Sequence, residues 1–308
     1  MEAMLKRTVL IALACMAFAA PAFAKTKIFV SMARSDDKFL NILRNAVAAE
    51  AAKDPDIDIT IVDAHNDSAA QVEQVRDALA GKPDVVMTET VDDDAARGIA
   101  GLIGKTPLVY LNRRPPMDRF AGKVAIVSSN DLVAGRLQMR LVAEKIGDKG
   151  NIVILRGQDG HPAAIERTQG VKEIVAGRPN IHLVEEATGD WSRAEGERLV
   201  TQWLNSGEHI DAVLANNDEM ALGAITALKK AGIPPGKVIV AGVDGTADAL
   251  AEIRSGYLTL SLLQNANAQG SEALIDAKKL ADNQYAELYD WVPYELIIPS
   301  NLQKYAGQ

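Results

Sequence analysis

Beyond residue 25 the chain alternates short runs of β-branched and other apolar residues with longer stretches whose apolar positions recur every three or four residues. Uninterrupted short runs read as strands buried on both faces, and the amphipathic stretches read as the helices that cover them. A first series predicts strands over 27–31, 57–63, 85–88 and 108–112 and helices over 37–53, 68–81 and 93–103, with 124–128 reading as a crossing segment. A second series predicts helices over 132–146, 165–176, 193–205, 220–231 and 248–256 and strands over 152–156, 181–187, 212–215 and 238–242. Residues 258–263, 268–282 and 291–298 read as strand, helix and strand, too little for a third domain, so they return to the two existing ones.

Gly81, Gly232 and Gly256 stand just past amphipathic segments, where a left-handed residue closes a helix, and Pro234 and Pro235 forbid continuation after the second of them. Strand and helix in alternation imply an α/β fold, two Rossmann-like lobes with parallel sheets joined by a three-stranded hinge. The expected lobes are residues 25–128 plus 264–290 and residues 129–263 plus 291–308.

The first two dozen residues follow a different pattern. Lys6 and Arg7 precede an apolar run over 8–18, which is too short to span a bilayer, and Ala22 and Ala24 end it as a small-x-small site. This predicts an export signal cleaved after Ala24 and a mature periplasmic chain starting at Lys25. Cys15, the one cysteine, would leave with the signal, so neither disulfide nor thiol chemistry is expected.

Composition narrows the function. With 308 residues, 48% of them apolar, the chain can bury two cores. A net charge of −8 offers no field for nucleic acid or an anionic membrane. The first strand is not followed by Gly-x-Gly-x-x-Gly, and no phosphate loop or metal-ligand cluster occurs, so no cofactor, no metal and no enzymatic activity are expected.

Open parallel sheets bind ligands beyond the carboxyl ends of their strands. The residues there suit hydroxyls: Asp37 and Phe39 after the first strand, Asn112 and Arg113 after 108–111, and Trp191 after 181–187. Asn217 and Asp218 follow 212–215, Asp244 follows 238–243, and Gln264 follows 258–263. Taken singly, each has a bland reading. Asp and Asn favour helix caps and turns, Asp218 reads as the cap of the helix at Met220 and Asp36 as the cap before Asp37, and Phe39 suits a core. As a set, carboxylate, amide and guanidinium groups bind adjacent hydroxyls while aromatic faces cover the C–H surface of a sugar ring.

These residues lie in Ser35-Asp36-Asp37-Lys38-Phe39, Pro107-Leu108-Val109-Tyr110-Leu111-Asn112-Arg113, Gly157-Gln158-Asp159-Gly160-His161-Pro162, Asn216-Asn217-Asp218-Glu219-Met220-Ala221-Leu222-Gly223 and Gly242-Val243-Asp244-Gly245. Through them the chain resembles the type I periplasmic sugar-binding proteins, most closely the galactose/glucose and ribose binders, over essentially the whole mature length. The resemblance implies ligand contacts from Asp37, Asn112 and Arg113 in the first lobe and from His161, Arg167, Asn217 and Asp244 in the second. It also implies Gln264 at the hinge and Phe39 and Trp191 as the two aromatic walls. A lone histidine is often a solvated loop residue, but the Gly-x-x-Gly-His-Pro context with Arg167 six residues on favours a ligand contact.

Two departures matter. Ala163 stands where the galactose binder has an Asp two residues after its histidine, which points away from galactose and glucose themselves. The calcium loop of that protein is replaced by Gly147-Asp148-Lys149-Gly150, too few oxygens for such a cation. With Arg34, Glu89 and Arg113 near the expected cleft, candidate ligands are pentoses, hexoses, sugar alcohols and cyclitols. The resemblance implies a monomer that hands its ligand to an inner-membrane ABC permease, or a sensor that presents it to a chemoreceptor or sensor kinase. A lac-type regulator would need a helix-turn-helix where the signal segment lies.

Overall fold

The computed structural model describes residues 25–305; the expected signal segment, its cleavage after Ala24 and Cys15 lie outside the described residues. The chain runs β1 (Thr26–Met32), α1 (Lys38–Ala51), β2 (Ile57–Asp63), α2 (Ser68–Ala80), β3 (Val85–Glu89), α3 (Asp93–Leu102), β4 (Leu108–Leu111) and β5 (Val124–Ser128). It continues through α4 (Asp131–Lys145), β6 (Gly150–Arg156), α5 (Pro162–Ala176), β7 (Ile181–Thr188), α6 (Arg193–Asn205), β8 (Ala212–Ala215), α7 (Asp218–Lys230) and β9 (Ile239–Asp244). The last elements are α8 (Ala247–Ser255), β10 (Leu260–Leu263), α9 (Ala266–Ala281), β11 (Tyr289–Trp291), β12 (Glu295–Ile297) and a 3-10 segment, Pro299–Tyr305.

Two six-stranded sheets result, in the orders β11-β5-β4-β3-β1-β2 and β12-β10-β9-β8-β6-β7. Both repeat the doubly wound order 2-1-3-4-5, and among the described residues only the β10–β12 pair is antiparallel. The order reverses between β1 and β3 in one lobe and between β6 and β8 in the other, which fixes where a cleft must form. Every residue of β3, β4, β8 and β10 is buried, as helices on both faces require. Leu43, Val47, Ala273 and Leu274 of α1 and α9 pack on one face of the first sheet, and Val75 and Ile99 of α2 and α3 on the other. Trp203, Ile225, Leu228 and Ile253 cover one face of the second sheet, and Met139, Val142 and Val171 the other. Each such Val, Leu, Ile or Met side chain stabilises the fold by about 1.5–3 kcal/mol.

Three expectations need correction. Residues 124–128 are not a crossing segment; β5 is a full strand between β4 and β11, and the chain crosses after it. The strand expected over 291–298 is two strands, because Pro293 interrupts it. Trp291 pairs with Ser128 in the first sheet while Glu295 pairs with Leu263 in the second, so the third crossing lies between them and Trp291 sits with the first sheet. Gly81 is right-handed, at φ −78°, and the left-handed residue is Lys82; Gly232 and Gly256 do adopt positive φ.

In the second lobe two helix pairs cross on glycines. A Cβ on Gly223 of α7 would lie 2.1 Å from the Arg193 carbonyl oxygen of α6, and one on Gly170 of α5 would lie 2.4 Å from that of Leu132 in α4. Backbone cannot yield as a flexible side chain can. Gly223→Ala is therefore expected to lower stability by about 1–3 kcal/mol or more in urea denaturation. Gly101→Ala, in α3 with nothing within 4 Å, is expected to raise it by roughly 0.5–1 kcal/mol.

Candidate functional site

Between the facing sheet ends lies a cleft partly open to solvent. All ten residues read from the sequence line it: Asp37, Phe39, Asn112 and Arg113 from the first lobe, His161, Arg167, Trp191, Asn217 and Asp244 from the second, and Gln264 at a crossing. The structure thus brings together positions scattered along the whole chain.

Several of them are helix caps as well as cleft residues. Asp37 caps α1, its Oδ1 accepting from the Leu40 amide at 2.9 Å. His161 caps α5 through Nδ1, which accepts from the Ala163 amide at 3.2 Å, and Asn217 caps α7, accepting from Met220 at 3.0 Å. Two cap assignments made from sequence are corrected here. Asp36 does not cap but pairs with Arg34 on the surface. Asp218, one residue inside α7, is fully buried and accepts from the Ser261 hydroxyl at 2.7 Å and the Thr246 amide at 2.8 Å.

The aromatic wall of the second lobe rests on a missing side chain. A Cβ on Gly157 would fall 2.1 Å from the Trp191 ring, so only glycine lets the indole lie against the end of β6. Trp191 meets His161 edge to face, centroids 5.2 Å apart, and the Arg167 guanidinium lies 5.9 Å from its ring. On the other side Phe39 is buried in the first-lobe core while lining the cleft.

Arg167 organises the cleft floor. Its Nε donates to Asp131 at 2.8 Å, one Nη to the Asn216 carbonyl at 2.6 Å, and the other to Gln264 Oε1 at 2.9 Å and the Tyr294 hydroxyl at 2.8 Å. Tyr294 in turn donates to Asp131 at 2.6 Å. Gln264 completes the link between lobes by donating from Nε2 to Asn112 Oδ1 at 2.5 Å. Arg113 also lines the cleft; one of its nitrogens donates to the Val91 carbonyl and another stands 3.9 Å from Asp93, which leaves further N–H groups of the guanidinium without a hydrogen bond among the described residues.

Burial pushes the Asp37 carboxyl up, partly offset by the Leu40 amide, and pushes Asp244 well above the carboxylate range, reinforced by Asp218 and opposed by Arg167, 4.0 Å away. Burial, with Arg113 and Arg167 nearby, holds His161 well below the usual imidazole range. It is neutral, with Nδ1 accepting, so Nε2 is left as a donor. Among the described residues no group of three or more His, Cys, Asp or Glu could hold a metal ion. The arrangement offers donors and acceptors to a neutral polar molecule between two aromatic walls.

Sequence reasoning missed Arg114, Asp131, Gln158 and Tyr294. Asp131 and Gln158 line the cleft, Tyr294 orders Arg167, and Arg114 forms an ion pair with Glu166 of α5 across the lobes. Asp131 and Tyr294 directly follow crossings, which was the available signal. Ala163, buried at 9% exposure, lines the cleft and brings no polar atom from its side chain.

Comparison with known proteins places these features. The profile described as periplasmic binding protein domain matches residues 28–284. A putative rhizopine-binding protein of Rhizobium meliloti is 38% identical over 283 residues, 90% of this chain and 92% of that one. A xylitol-binding protein of Mycolicibacterium smegmatis is 33% identical over 236 residues, 76% and 66% of the two. The crystal structure of an ABC transporter solute-binding protein from Bacillus halodurans C-125 with bound myo-inositol superposes with a TM-score of 0.86 at 37% identity, over 92% of this chain and 98% of that one.

Removing Arg167 would leave the partly buried Asp131 and the buried Asp244 without a counter-charge. Arg167→Ala is expected to lose roughly 3–5 kcal/mol in urea denaturation. Tyr294→Phe, which removes one hydroxyl and spares both charges, should cost about 1 kcal/mol.

Proposed function

The chain belongs to the periplasmic binding protein family, whose members are non-enzymatic substrate-binding components of transport, and from that premise we propose that it captures a polyol, cyclitol or monosaccharide for an ABC importer. One observation carries this reading: carboxyl, amide, guanidinium and aromatic side chains from the strand ends of both lobes line a single cleft. Asp37, Asn112, Arg113, His161, Arg167, Asn217, Asp244 and Gln264 supply hydrogen bonds in this reading, and Phe39 and Trp191 enclose the apolar face of the ring. The relatives named for rhizopine and xylitol and the neighbour holding myo-inositol support a hydroxyl-rich ligand. Ala163 in place of a carboxylate favours a cyclitol or sugar alcohol over galactose or glucose.

The mechanism is hinge closure. A ligand that contacts groups on both lobes binds the closed form better, and that difference in affinity is what shifts the population. The cleft rims favour closing. Arg114 on the first lobe pairs with Glu166 on the second. Arg34 is raised first by its bond to Asp36 and further by Asp190 across the cleft, while Asp248 is lowered first by Arg193 and also by Lys38 opposite. In each of the three cross-cleft pairs, Arg114 with Glu166, Arg34 with Asp190 and Lys38 with Asp248, the cation stands on the first lobe and the anion on the second. In this reading the protein is a periplasmic monomer, released by cleavage after Ala24, and its closed form is what the inner-membrane permease recognises.

A thermal-shift panel of myo-inositol, xylitol, pentoses and hexoses should raise the melting temperature with at least one cyclitol or sugar alcohol, because a ligand that binds only the folded state stabilises it by mass action. At saturation the radius of gyration from small-angle X-ray scattering should fall; an unchanged radius rules out closure. Trp191→Ala should weaken binding about tenfold or more by calorimetry, and Gly157→Ala, which displaces the indole without touching ligand, should do the same. Wild-type affinity in both variants would mean that Trp191 is not a wall of the site.

A further inference from the structure

Glu89 ends β3 at the strand-order reversal of the first sheet and is 2% exposed. Its backbone is fixed: Gln71 donates to its carbonyl at 2.9 Å and accepts from the Val91 amide at 2.8 Å. Its carboxyl is only half used. Oε2 accepts from the Ala33 amide at 3.3 Å, whereas Oε1 has no hydrogen bond or ion pair among the described residues. Oε1 is not among the sealed, unpartnered polar atoms, and Glu89 lines the cleft, so this oxygen reaches the cleft surface.

The charges around it are already matched to other partners. Arg113, at the end of β4, bonds the Val91 carbonyl and faces Asp93; Arg34, after β1, pairs with Asp36. Asp37 at the start of α1 adds a like charge, Asp92 caps α3, and His161 across the cleft is neutral. A buried carboxyl without a partner costs several kcal/mol unless something else completes its hydrogen bonds.

We propose that Glu89 contacts the ligand directly, its Oε1 donating a hydrogen bond to an oxygen of the bound polyol. This role rests on the polyol-binding reading above and adds to it an uncharged donor from the first lobe. Burial first, then Asp37, push the Glu89 carboxyl up to about 8 against the opposing effect of Arg113 and the Ala33 amide, so it holds its proton at neutral pH. With Oε2 accepting from Ala33, the proton sits on Oε1 and faces the cleft.

Calorimetric titration of myo-inositol and xylitol into the wild type, Glu89→Gln and Glu89→Leu tests this. Glu89→Leu should bind about ten- to a hundredfold more weakly, while its ligand-free melting temperature is no lower than that of the wild type, since an unpaired carboxyl has been replaced by an apolar group. Glu89→Gln, which keeps a donor, should stay within about fivefold of wild type. Wild-type affinity should hold below pH 8 and then weaken by about tenfold per pH unit as the proton is lost, and Glu89→Gln should lack that decline. Unchanged affinity in Glu89→Leu, or equal losses in Glu89→Leu and Glu89→Gln, overturns the role of Glu89 alone. A wild type that binds neither these nor any other member of the panel overturns the polyol reading itself.

Discussion

The guanidinium of Arg167 is the point on which the two-lobed arrangement turns. The chain passes between lobes three times, and this one planar cation bonds a residue beside each passage: Asp131 after the first, Gln264 at the second and Tyr294 at the third. A lysine could offer one point of attachment, but the fork of five N–H groups fixes three strands of chain in one geometry. Burying that charge is tolerable because Asp131 balances it at 2.8 Å and nearly every donor is used. The cluster lies in the second lobe, leaving Gln264 to carry the connection to Asn112 in the first.

The same economy of groups governs the rest of the cleft. Helices α1, α5 and α7 begin at its walls, so the residues that satisfy their first amides are also the residues a ligand would meet. Capping leaves a second oxygen on Asp37, Nε2 of His161 and the amide nitrogen of Asn217, which is held against the Trp191 carbonyl at 3.3 Å. For Asp37, His161 and Asn217, the bland reading and the functional one therefore describe the same side chain. Asp244 and Glu89 sit at strand ends instead, where burial pushes both towards the neutral acid against the opposing effect of Arg167 on the one and Arg113 on the other. A cleft lined by uncharged or internally balanced groups suits a neutral, hydroxyl-rich molecule better than an anion.

Much of this was legible in the chain because strands buried on both faces leave uninterrupted apolar runs, and the polar residue that ends each run marks the sheet edge. That logic located Asn112, Trp191, Asn217, Asp244 and Gln264 at one cleft. Where one residue decides between two adjacent choices, the logic gave out. Asp36 and Asp37 are equally good caps in isolation, and the choice fell to Asp37 because Asp36 is held on the surface by Arg34. Asp218 and Asn217 were confused likewise, since the tie from Asp218 to Ser261 spans 43 residues and leaves no local trace. The break between β11 and β12 was hidden because apolar residues, Trp291 and Val292 before it and Leu296 and Ile297 after it, stand on both sides, although Pro293 between them was a usable signal. Tyr294 and Asp131 were missed because their importance lies in what they do for Arg167, which only tertiary structure reveals.

Backbone conformation adds a constraint that side-chain chemistry alone would not suggest. Asn112, Trp191 and Asp244 all adopt positive φ, at 61°, 62° and 122°. For Asn this is tolerable, but for Trp and Asp it costs on the order of 1–3 kcal/mol each unless the surroundings impose it. At Trp191 the surroundings are identifiable: Gly157 leaves room for the ring, and the amide of Asn217 holds the carbonyl. At Asp244 the carbonyl accepts from the Gln264 amide at 3.2 Å, tying the strained residue to the second crossing. Strain at Trp191 and Asp244, each restrained by a neighbour from another element, is hard to account for as a by-product of folding. It is accounted for if the fold spends stability to aim an indole and a carboxyl into one space.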